Sequence, residues 1–128
     1  MRKSVIAFGI LFSVMFNNIN ANSNPSDNKV RSIQRTTNNV APISLAVAQN
    51  DYSTVKKFIE LGSDIEVKDK TMGMTPIMYA ARYNNVELLQ LLVANGANLR
   101  EKSKLGFTAT EYAELSNAHE AVAFLKSF

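Results

Sequence analysis

From Val40 onward, apolar residues fall into alternating short groups separated by polar breaks. The first kind of group, in "APISLAVAQ", "TPIMYAARY" and "TATEYAELS", is rich in small residues, and Ala46, Ala80 and Ala113 hold equivalent places. Such groups read as short helices able to lie close to a neighbour. The second kind carries larger side chains: Val55, Phe58 and Ile59; then Val86, Leu88, Leu89, Leu91, Leu92 and Val93; then Ala121, Val122, Phe124 and Leu125. Their i, i+3, i+4 recurrence predicts a second helix in each case. The middle one is apolar almost all round, whereas the outer two show one stripe. This gradient predicts a central helix packed from both sides and two outer helices facing water.

The breaks have their own chemistry. Asn50-Asp51, Asn84-Asn85 and Asn117-Ala118 separate the helices of each pair, and Asn tolerates a left-handed backbone. Thr75 and Thr108 stand as N-cap candidates. Pro42 and Pro76 occupy first-turn positions, where a missing N–H does no harm. Gly62 and Gly96 follow the second helices as left-handed caps. Pro42 to Pro76 and Gly62 to Gly96 are each 34 residues, and Thr75 to Thr108 is 33. A fixed period of this length marks a repeat architecture. The expected fold is an all-α solenoid of three helix-turn-helix units with short hairpin loops, spanning 40–72, 73–105 and 106–128. The last helix is expected to run to the end at Phe128 without a glycine cap.

The first residues read differently. Arg2 and Lys3 precede the uncharged apolar run Val5 to Phe16, and polar residues around Ala21 follow. This is the pattern of a secretory signal peptide over 1–21, and the twelve-residue run is short against the ~20 residues that span a bilayer. Residues 22–39 are a polar lead-in or an N-terminal capping segment. Ser26 is placed to cap a short helix over Asp27 to Thr36. Without residues 1–21, 107 residues remain, with 12 basic against 11 acidic side chains. Near-neutrality supplies no electrostatic footprint for nucleic acid or for a membrane surface. There is no cysteine, so disulfides and thiolate metal sites are excluded.

The recurring residues resemble the ankyrin repeat, on Asp69, Gly73, Thr75-Pro76-Ile77, Ala80-Ala81, Leu88-Leu89, Leu91-Leu92-Val93 and Gly96-Ala97. The third unit keeps Gly106, Thr108-Ala109 and Ala113; the first keeps Pro42-Ile43, Ala46 and Gly62. The family's motif histidine is replaced by Ser44, Met78 and Glu111, so the hydrogen bond it makes with the motif threonine should be absent throughout. The usual Gly-His between the helices becomes Asn84-Asn85, and both departures should lower stability.

The resemblance implies a binding module for a protein partner, presented by hairpin tips and first helices. Carried over by position, the protein-binding residues are Met72, Met74, Arg82 and Tyr83, then Leu105, Phe107, Leu115 and Ser116, with Val40, Ala48 and Gln49 from the first unit. The signal sequence narrows the resemblance to small exported bacterial members. These imply a periplasmic monomer that supports a partner such as a stress-defence enzyme, with no cofactor, no nucleic acid and no membrane after cleavage. An effector secreted toward a host or neighbouring cell is the alternative, and cell fractionation separates the two.

No residue set argues for an enzyme. His119 is the only histidine and lacks a cysteine or second histidine with which to hold zinc. Glu111 and Glu114 share a helix face that reads as solvated. Tyr79 and Tyr112 recur in one slot, which reads as stacking within the repeat core. Met72, Met74, Leu105 and Phe107 are balanced between partner contact and local packing, since Met74 and Phe107 directly precede the helix caps.

Overall fold

In the computed structural model the structure describes residues 39–128; the signal-peptide reading and the Asp27–Thr36 helix lie outside them. Among the described residues there are six α-helices and no strand: α1 (Pro42–Ala48), α2 (Tyr52–Glu60), α3 (Pro76–Arg82), α4 (Val86–Ala94), α5 (Ala109–Leu115) and α6 (His119–Leu125). No helix among the described residues is long and apolar enough to cross a membrane.

The first helices α1, α3 and α5 pack in one row, and the second helices α2, α4 and α6 in another. Small residues make the first row close: Ala46, Ala80, Ala81 and Ala113 are all buried. The expected gradient in the second row is present. α4 buries Leu88, Leu89 and Leu92, whereas α2 buries only Val55, and α6 buries Ala121 and Leu125.

Helix ends follow local chemistry. Asn50, Asn84 and Asn117 have φ of 56°, 58° and 54°, the left-handed backbone that turns one helix into the next. Gly62 and Gly96 end α2 and α4 at φ of 81° and 88°. α6 does not run to Phe128. It stops at Leu125 with Lys126 as its cap, and Phe128 packs edge-on against Phe124 with ring centroids 5.3 Å apart.

The threonine caps divide. Thr108 Oγ1 accepts from Glu111 N at 3.4 Å and donates to Glu111 Oε1 at 3.1 Å. Glu111 is therefore tied to the cap and partners the threonine in place of the family's histidine. Thr75 differs because Met78 stands at the equivalent position. Its backbone N–H reaches only the Met78 sulfur at 3.4 Å, and its buried hydroxyl finds no hydrogen-bond partner among the described residues. Ser44 Oγ is orphaned in the same way.

Asn84 and Asn85 also join neighbouring units, a role that their place in the sequence did not disclose. Asn84 Oδ1 accepts from Ala121 N at 2.9 Å, and its Nδ2 donates to Glu120 Oε2 at 2.7 Å. The α6 N-cap is Ala118, which has no side-chain oxygen, so the cap arrives from the preceding unit. Asn85 Nδ2 donates the other way, to the Val47 carbonyl at 3.2 Å. Asn84→Ala should lose both a cap and a residue suited to positive φ, and lower stability by about 1–2 kcal/mol in urea unfolding. An unchanged midpoint would show that the cap contributes nothing.

Candidate functional site

The hairpin of the second unit is organised by one carboxylate. Asp69 is only 3% exposed, and its Oδ1 accepts from the backbone N–H of Thr71 at 2.9 Å and Met72 at 2.7 Å and from the Thr71 hydroxyl at 2.8 Å. Its Oδ2 accepts from Met74 N and from the Tyr79 hydroxyl, each at 2.9 Å. Burial pushes this carboxyl up, but the hydrogen bonds from Met72, Thr71, Tyr79 and Met74 outweigh it and hold it below its ordinary value. Burial, then the bond to Asp69 and its charge, push the Tyr79 phenol up.

In the third unit Ser103 takes the same place. The Tyr112 hydroxyl donates to Ser103 Oγ at 2.8 Å. The two tyrosines thus anchor each hairpin to its own first helix, a role that their spacing alone did not disclose. Gly73 then lets the hairpins meet. At φ +66° it is left-handed, and a Cβ there would stand 2.9 Å from Lys104 Cγ and 3.1 Å from Lys104 N. Across that approach Lys104 N donates to the Met72 carbonyl at 2.9 Å.

This geometry sorts the residues proposed as contacts. Met74 is corrected: it is 1% exposed and belongs to the core, because the Asp69 loop holds its backbone while the side chain turns inward. Met72 and Phe107 are half-buried against the core, and Phe107 meets Tyr112 edge-on at 5.7 Å. Val40 and Ala48 are half-buried. Gln49, Arg82, Tyr83, Leu105, Leu115 and Ser116 are exposed, with Leu105 at 61% and Leu115 at 64%.

The exposed set has a common origin. Gln49, Tyr83 and Ser116 are the C-caps of α1, α3 and α5. Because those helices pack in a row, the three caps and the residues before them fall at matched positions along the stack. Arg82 lies with its guanidinium carbon 6.0 Å from the Tyr83 ring centroid, at the outer limit of a cation–π contact. Nothing in this surface resembles a reacting constellation. His119 is exposed at the start of α6, and among the described residues no group of three His, Cys, Asp or Glu side chains is placed to hold a metal ion.

Known proteins match this architecture. The family model described as "Ankyrin repeats (3 copies)" covers residues 43–127. The chain is 33% identical over 101 residues to Dauer abnormal formation protein 25 of Caenorhabditis elegans, covering 77% of this chain and 26% of that protein. It is 33% identical over 86 residues to human Ankyrin repeat and SOCS box protein 11, covering 66% of this chain and 26% of the relative. A Putative ankyrin repeat protein of Rickettsia felis is 30% identical over 83 residues, 65% of this chain and 21% of its own length. The chain thus spans about a quarter of the length of these relatives.

Proposed function

The chain belongs to the ankyrin repeat family, and from that premise we propose that it is a non-catalytic module that grips a protein partner in the bacterial periplasm. One observation carries the binding surface: Arg82, Tyr83, Leu115 and Ser116 are exposed at matched ends of adjacent first helices, with Leu105 exposed on the neighbouring hairpin. Tyr and Arg are the residue types that most often anchor protein interfaces, and exposed leucines add apolar area. The basic start, short apolar run and Ala21 junction support export. The resemblance to small exported bacterial members extends the proposal to a partner such as a stress-defence enzyme.

The test uses the full chain, tagged and recovered from the periplasmic fraction. Arg82→Ala with Tyr83→Ala should weaken capture of its periplasmic partner by about 2 kcal/mol or more, with little change in melting. Lys56→Ala with Glu60→Ala, on α2, should leave capture intact. Equal capture by both variants would refute the first-helix surface, and absence of the chain from the periplasm would refute the compartment.

A further inference from the structure

The hairpins carry a charge pattern that the module reading does not use. Residues 39–128 hold nine Lys and Arg against ten Asp and Glu, so this part of the chain is not basic as a whole. Four of the nine nevertheless sit in two tripeptides 34 residues apart, Lys68-Asp69-Lys70 and Lys102-Ser103-Lys104. In each the middle residue is buried and both lysines are exposed. Residues two apart in an extended segment share a side, about 7 Å from one another.

The repeat stack brings these pairs together. Lys68 Nζ donates to the Lys102 carbonyl at 3.3 Å, and Lys104 Nζ donates to the Lys70 carbonyl. The surrounding carboxylates are already engaged. Glu101 pairs with Lys68 at 2.5 Å, Glu66 accepts from Asn98 N at 2.7 Å, and Asp69 faces inward with both oxygens occupied. In the third unit that inner carboxylate is replaced by neutral Ser103. Four ammonium groups therefore share this edge with the carboxylates of Glu66, Asp69 and Glu101; Lys68 is paired with Glu101, whereas Lys70 and Lys102 make no ion pair among the described residues. Leu105, 61% exposed, adjoins them as an apolar contact.

We propose that this edge recognises an extended acidic segment of a protein partner, with carboxylates at alternate residues facing the two lysine pairs and an apolar side chain against Leu105. The inference rests on the module reading above and names the chemistry of what the module grips. Alternate carboxylates on an extended strand match the spacing of the lysines. Clustered charge of one sign raises the association rate and rejects like-charged partners. A nucleic acid fits less well, since four lysines on two adjacent hairpins do not make the extended basic stripe that a phosphate backbone requires.

The probe is a short labelled peptide of alternating Glu and Ala with one central Leu, followed by fluorescence anisotropy with the full chain. Lys70 and Lys102 are the positions to change, because Lys68 and Lys104 also hold the hairpins together. Lys70→Glu with Lys102→Glu should weaken peptide binding by about tenfold or more, and Lys70→Gln with Lys102→Gln by a smaller factor. Lys56→Glu with Lys57→Glu on α2 makes the same change in net charge and should alter binding little. The Gln-for-Glu peptide should not bind, and added salt should weaken the Glu peptide. The proposal is overturned if the Glu peptide does not bind, if a single-stranded DNA oligonucleotide binds more tightly, or if the α2 and hairpin variants weaken binding alike. The glutamine pair decides the matter should the glutamate pair unfold. If the captured periplasmic partner is lost by the Arg82/Tyr83 variant yet kept by Lys70→Glu with Lys102→Glu, the module reading stands and this one falls.

Discussion

Leu92→Ala should cost the stack about 2–5 kcal/mol in urea or thermal unfolding, with Leu89→Ala in the same range. Both side chains are fully buried in α4, and α4 alone among the second helices packs against a second helix on each side. A cavity there loosens the contacts of all three units, whereas truncation in an outer helix leaves one neighbour undisturbed. Lys57→Ala on the exposed side of α2 should change stability by no more than about 0.5 kcal/mol. Comparable losses for Lys57→Ala and Leu92→Ala would contradict the central position of α4.

Asp69→Ala should be comparably damaging, at about 2–4 kcal/mol. It removes the acceptor of the buried Met74 N–H and of the Tyr79 hydroxyl, and each buried donor left unpaired costs about 1–3 kcal/mol. The hairpin N–H groups of Thr71 and Met72 are nearer to solvent and can turn to water, which limits the loss. Asp69→Asn should fall between, because an amide keeps one oxygen but places a donor against other donors. The pH dependence has a definite sign. The folded carboxyl is held below its ordinary value, so its stabilisation is full above the unfolded value near about 4 and is lost as pH falls through the folded one. The stability gap between the wild type and Asp69→Asn should therefore narrow as pH drops below about 4. A gap that does not change with pH would show that the charge of Asp69 contributes nothing.

Much of the fold was legible because its signals are local. The Asn breaks, the Gly caps and the proline first turns depend on backbone preferences within a few residues, and each appears where the sequence predicts it. The burial gradient of the second helices was equally readable, since a side chain's polarity reports the environment it was selected for. The candidate surface was legible only in part. Arg82, Tyr83, Leu115 and Ser116 are exposed, as carrying positions across the repeat suggested. Met74 is buried, because an apolar residue before a cap fits a pocket as well as a partner, and only the Asp69 loop decides between them.

The sequence by itself determined the repeat, its period and its helix pairs, since these follow from spacing and polarity along the chain, and its motif residues carried the resemblance to the family. The tertiary structure decided what passes between units. Asn84 caps a helix 37 residues away, Asn85 reaches back 38 residues to Val47, and Lys104 bonds the carbonyl of Lys70 34 residues before it. The physical reason is that a hydrogen bond between units depends on the relative placement of two folded elements. Neither element's own sequence carries that placement, and the four lysines become one charged edge only when the hairpins are stacked.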